Sequence, residues 1–206
     1  MDLKEIISNA LDHSLSAQEY DLLLANYAAE GKTSGDTQSE DLIHYTKLNA
    51  QRTKRISKTT TLMSAVADLV KSLKKQTWLL ITETWCGDAA NSVPVIAKLA
   101  ALNPKIDLRI VMRDENTELI DQFLTKGGRS IPKLVVLDEE LNVMGDWGPR
   151  PEALQKIYWD WRESEDKIPY SEFHLVIQKW YNENKSEAIQ TEFMELMKMT
   201  DQIAPV

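Results

Sequence analysis

Cys86 is the one thiol in 206 residues, and it stands in the run Trp85-Cys86-Gly87-Asp88-Ala89 just ahead of a helical pattern. At a helix N-terminus a cysteine sits beside unpaired N–H groups and the positive end of the helix dipole. Such a place can lower a thiol pKa from about 8.5 toward about 3.5–7.5. Cys86 is therefore a candidate nucleophile, and Gly87 lets another backbone approach its sulfur. Asp88 complements the same dipole but sets a like charge beside a thiolate, and Glu83 adds a second, so the two would make the thiol less acidic. One thiol cannot close an intramolecular disulfide. It can attack a mixed disulfide, take the small thiol, and be freed by a second small-thiol molecule. The plainer reading is an inert, small, buried hydrophobe.

Other chemistries find little support. His13, His44 and His174 fall in separate helical patterns away from Cys86, so neither a Cys/His dyad nor a metal-ligand spacing is visible. No phosphate loop or nucleotide fingerprint occurs, since Lys126-Gly127-Gly128-Arg129-Ser130 lacks the flanking pattern. The segment 47–58 carries five Lys or Arg and no acid. It reads as a solvated helix face, with an anion-facing patch as the alternative.

The elements that must position Cys86 follow from periodicity. Leu3, Ile6, Ile7 and Leu11, then Tyr20, Leu23, Leu24 and Tyr27, fall at helical spacing before a polar, glycine-containing break. Residues 36–75 read as one long helix or two in tandem, with an apolar stripe through Tyr45, Leu48, Ile56, Met63, Val66, Val70 and Leu73 facing the core. From Gln76 the period changes. Strands are expected at 77–82, 106–112, 132–138 and 141–147, and helices at 91–102, 116–124 and from Pro151 onward. A final helical stretch follows Pro169. The tryptophans at 147, 159, 161 and 180 read as core or helix contacts.

The order β, α, β, α, β, β, α, with the cysteine where the first strand meets the first helix, resembles the thioredoxin fold: a central mixed four-stranded sheet flanked by helices. "WCGDA" stands where thioredoxins have Trp-Cys-Gly-Pro-Cys, Pro94 lies at the place of the proline in the active-site helix, and "SIPKLVVLD" matches the segment holding the cis-proline, here Pro132. "GDWGPRP" (145–151) looks like a signature of a bacterial branch, the thioredoxin family proteins. The resemblance covers about residues 76–162, leaving an N-terminal helical extension (1–75) and a C-terminal one (163–206). It implies that Arg129 lies beside the cysteine, that Ile131 exposes its backbone to pair with an extended substrate, and that Trp85 supplies apolar surface there. Trp85, Gly87, Asp88, Ile131 and Pro132 then form the groove around the catalytic Cys86. Two departures weaken dithiol chemistry. Ala89 replaces the resolving cysteine, and Leu80 stands where thioredoxins bury an acid.

The resemblance leaves two functions: a monothiol exchange factor acting on protein or small-molecule thiols and disulfides, and a non-catalytic, chaperone-like binding module. The first would use no cofactor beyond a small thiol such as glutathione or bacillithiol. "CGDA" shares only two letters with the Cys-Gly-x-Ser motif of cluster-holding monothiol glutaredoxins. A formal charge of −8 disfavours nucleic acid and anionic membranes as partners. The absence of a signal-peptide pattern or a long apolar run leads to the expectation of a cytoplasmic protein, and a homodimer is allowed.

Overall fold

The computed structural model describes residues 1–203; residues 204–206, the end of the expected C-terminal extension, lie outside the described residues. The chain runs α1 (Leu3–Asp12), β1 (Leu15–Ser16), α2 (Ala17–Glu30), α3 (Glu40–Thr59), α4 (Ser64–Ser72) and β2 (Gln76–Thr82). It continues with α5 (Gly87–Ala100), β3 (Ile106–Met112), α6 (Thr117–Ile120), β4 (Lys133–Leu137), β5 (Val143–Trp147), α7 (Glu152–Glu163), α8 (Tyr170–Asn184) and α9 (Glu187–Ile203).

One mixed sheet has the order β1-β3-β2-β4-β5, with β2 and β3 parallel and the other pairs antiparallel. In β2, Trp78, Leu79, Leu80 and Ile81 are all fully buried. A continuous apolar run is what a strand covered on both faces requires. The expected sheet of four strands is corrected to five. Leu15 and Ser16 pair with Ile110 and Arg109 at the edge, and a two-residue strand carries no alternation to read. Ser16 also caps α2 through a reciprocal capping box with Glu19.

The expected helix at 116–124 shortens to the single turn of α6, after which Thr125 and Gly128 bridge. The segment 36–75 divides into α3 and α4, and here the apolar stripe misleads for α3. Its fully buried positions are polar: Thr46, Asn49 and Thr53. Two of them face a buried polar network in which the Thr46 hydroxyl meets those of Thr33 (2.7 Å) and Thr84 (3.2 Å), and Asn49 donates to the Thr84 carbonyl (3.0 Å); the Thr53 hydroxyl has no hydrogen-bond partner. Buried polar groups need partners, and this helix supplies them to the strand end that leads to Cys86.

The appended helices are packed into the core. Phe193 of α9 is fully buried and makes edge contacts with Trp78 and Trp147, with ring centroids 5.8 and 5.4 Å apart. The buried Gln190 accepts from the Met63 N–H and donates to the Thr61 carbonyl, tying the α3–α4 link to α9. No helix among the described residues is long and apolar enough to cross a membrane.

Candidate functional site

Strand β2 delivers Cys86 to the N-terminus of α5, where it is the N-cap residue. Its sulfur accepts from the Ala89 N–H at 3.5 Å, and its S–H donates to the Ile131 carbonyl at 3.3 Å. The Ile131–Pro132 and Gly148–Pro149 peptide bonds are both cis. The thiol thus faces the proline loop, but it is only 7% exposed. The Ile131 backbone is no open edge either: Ile131 is buried and its carbonyl is taken by the thiol. A helix start made Cys86 a candidate for an accessible thiol, and the resemblance implied an exposed Ile131 backbone; both residues are instead buried, beside a groove that α3, α7 and α8 border.

Those helices turn the groove into a cavity of about 390 Å³. Trp85, Cys86, Gly87 and Asp88 form its floor, and Ser130 and Ile131 one side. Tyr45 and Arg52 from α3, Tyr158 from α7, and Tyr170, His174 and Ile177 from α8 complete the wall. Sequence reasoning kept His174 away from the cysteine, yet α8 brings it into this wall. Nothing in the local pattern of α8 marks it, because α8 is aligned with the site only by tertiary packing.

Asp88 is the charge that matters most beside the sulfur, and its partner was missed from sequence. Arg150 meets the Asp88 carboxylate at 2.7 Å, with the two side chains 10% and 8% exposed. Tyr181 donates its hydroxyl to the same carboxylate at 3.0 Å, and the Arg150 guanidinium lies 4.2 Å from the Tyr158 ring centroid. Burial pushes the Asp88 carboxyl upward, and Arg150 and Tyr181 pull it part of the way back. Burial likewise pushes the Cys86 thiol up, Asp88 adds to the rise, and the Ala89 N–H and Arg150 oppose it; the thiol rests at about 12. Desolvation therefore outweighs the helix terminus here.

The two expected tuning charges act elsewhere. Arg129 lines the cavity but is exposed and paired with Asp121 at 2.7 Å, so Arg150 takes the place expected for it beside the sulfur. The buried Glu83 carboxylate is held by the Ser34 hydroxyl and by the Asp114 N–H, and burial raises it. The charges that act most on the thiol are Asp88 and Arg150. Arg113 stacks over Trp85, 4.9 Å from the ring centroid.

The segment 145–151 explains the geometry. Lys133, beside the proline loop, reaches Asp146 (2.7 Å) and the Gly148 carbonyl (3.3 Å). Trp147 donates to Glu192 of α9 at 2.7 Å, Arg150 holds Asp88, and Pro151 caps α7. One short run thus ties the proline loop, α5, α7 and α9 together. Among the described residues no cluster of three or more His, Cys, Asp or Glu side chains could hold a metal ion.

A family model described as thioredoxin, Thioredoxin_9, matches residues 35–166. The chain belongs to this family. Two solved structures share the fold of this thioredoxin-family chain. One is an HIV epitope-scaffold (TM-score 0.59, 17% identity, 93% of this chain and 96% of that chain covered). The other is a protein of unknown function from Pseudomonas aeruginosa (TM-score 0.59, 16% identity, 96% and 98% covered). At these identities the likeness concerns fold alone. No curated protein matches the chain.

Proposed function

We propose that this thioredoxin-family chain is a binding module for a small ligand, held in the cavity over Cys86, and that the thiol is a wall group with little resting reactivity. The observation that carries this reading is the partial enclosure of the groove by α3, α7 and α8, which leaves an open-mouthed cavity of about 390 Å³. That volume lies within the range of about 300–1,000 Å³ usual for small-molecule sites. An extended peptide pairing with Ile131 would have to reach a buried residue whose carbonyl already accepts from the thiol.

A second reading is monothiol exchange, favoured by the placement of the Cys86 sulfur in the cavity wall against the proline loop. In that cycle the Cys86 thiolate attacks a mixed disulfide, the S–S bond breaks and the target leaves as its thiolate. A small-thiol anion then attacks the Cys86 mixed disulfide, releasing the Cys86 thiolate and a small-molecule disulfide. Protein or low-molecular-weight disulfides would be the substrates, with glutathione or bacillithiol as the small thiol.

Alkylation kinetics separate the two. With a thiol at about 12, the thiolate is rare at pH 7.5. Its greater intrinsic nucleophilicity recovers part of the loss, so iodoacetamide should react roughly a hundredfold more slowly than with free cysteine. The rate should climb about tenfold per pH unit past pH 10 without a plateau. No glutathione adduct should appear on Cys86 by mass spectrometry after incubation with glutathione disulfide at pH 7.5. A plateau near pH 7 with rapid adduct formation would replace the binding reading by exchange. The same shift has a stability sign. The unfolded chain loses the thiol proton near pH 8.5 and the native chain near 12, so Cys86 favours folding below about pH 8.5 and that contribution falls away as pH rises toward 12.

A further inference from the structure

The cavity wall carries four arginines, Arg52, Arg113, Arg129 and Arg150, against a single carboxylate, Asp88, in a chain of formal charge −8. Asp88 answers Arg150. Arg113 and Arg129 hold Asp114 and Asp121, which lie outside the wall and are more than two-fifths exposed. Exposed pairs of this kind exchange partners at little cost.

Arg52 is different. No carboxylate lies within ion-pair distance of it among the described residues. Its guanidinium donates to the Asn49 side-chain oxygen at 3.2 Å, and Asn49 is itself fixed on the Thr84 carbonyl. The Nη1 atom lies 3.7 Å from the point where a Cβ on Gly87 would be, so the cation rests over the first turn of α5 with no side chain between. It is half-buried, and burial together with neighbouring Arg55 pulls its guanidinium below the usual value. The carboxylate that acts on it, Asp88, is already paired with Arg150. A held cation with no ion pair of its own, beside a helix N-terminus, is an arrangement an anion stabilises. Arg150 lies nine-tenths buried in the same wall, where Asp88 and Gln155 hold two of its nitrogens and Nε has no hydrogen-bond partner. A buried donor left unpaired is costly, and a small shift that brings it to a ligand oxygen gains from the contact.

We propose that the cavity binds a small organic oxyanion, with one anionic group seated between Arg52 and the first turn of α5 and its apolar part against Tyr45, Tyr158 and Tyr170. This rests on reading the cavity as a ligand site and names the ligand class. Carboxylate and phosphate ligands share the chemistry, since both present oxygen pairs to a guanidinium fork.

Isothermal titration calorimetry on Cys86→Ser protein removes any covalent step. The probes are S-methylglutathione, which has two carboxylates and no free thiol, its diethyl ester, and inorganic phosphate. Binding of S-methylglutathione that weakens about tenfold or more in the diester, and again in Arg52→Gln, supports a carboxylate site. Binding of phosphate alone, lost in Arg52→Gln, supports a phosphate-ester site. Absence of binding by both charged probes overturns the proposal, as does equal binding in Arg52→Gln. Diester binding as tight as that of the parent also overturns it, while leaving the small-ligand reading of the cavity in place. The alkylation result on Cys86 bears on exchange and leaves this outcome untouched.

Discussion

Arg150→Met is expected to lower the unfolding free energy by about 3–5 kcal/mol, because it strands the Asp88 carboxylate in a buried site. Both partners are at least nine-tenths buried and 2.7 Å apart, so solvent screens little of the interaction. Tyr181 still donates one hydrogen bond to Asp88, which is too little to solvate a full charge. The variant relieves part of the cost by keeping a proton on Asp88. Burial already holds that carboxyl above its ordinary value, and removing the guanidinium raises it further. Over the interval between the unfolded and folded pKa values the native state holds more protons than the unfolded state, so stability falls as pH rises. Urea unfolding at pH 5 and pH 8 should therefore show the larger loss at pH 8. The double change Asp88→Asn with Arg150→Met should recover most of the deficit, since it removes the stranded charge. A double variant as unstable as Arg150→Met would instead assign the loss to the contact between Arg150 and the Tyr158 ring.

Gly148→Ala should cost about 2–6 kcal/mol and loosen the loop against the thiol. Gly148 has φ +113°, a region side-chain-bearing residues rarely adopt, which is worth about 1–3 kcal/mol. A Cβ there would fall 2.2 Å from the Pro132 carbonyl oxygen and 3.3 Å from its carbon. Those are backbone atoms and cannot rotate away, so the loop must shift, and an overpacked site of this kind costs about a further 1–3 kcal/mol. Gly127→Ala is the matched control, with φ +76° and nothing within 4 Å of the added carbon. It should lose only the conformational part. Denaturation midpoints of the two variants measure the difference, and equal losses would remove the close approach to Pro132 from the explanation. Displacing Pro132 also shifts Ile131, the acceptor of the Cys86 S–H, so Gly148→Ala should alkylate faster than the unmutated chain.

How much of this was legible in the residues can be judged element by element. Strands β2 and β3 and helix α5 are readable because their apolar runs and periods are local properties of the chain. The two-residue β1 is invisible for the opposite reason: it exists only because Ile110 and Arg109 offer it an edge. In α3 the apolar stripe is only partly buried and the most buried positions lie beside it, since the helix is also oriented by hydrogen bonds to Thr33 and Thr84, which no hydrophobic period records.

The order of elements from β2 to α7, the single thiol at a helix start and the lack of a second sulfur at Ala89 are settled by sequence, because each depends on neighbours within a turn or a strand. The state of that thiol and the use of its groove are settled only in three dimensions. Arg150, Tyr181 and Arg52 come from distant segments, and their effect on Cys86 and Asp88 depends on distance and burial. Desolvation is a property of everything packed around a group, and one helix end cannot announce it.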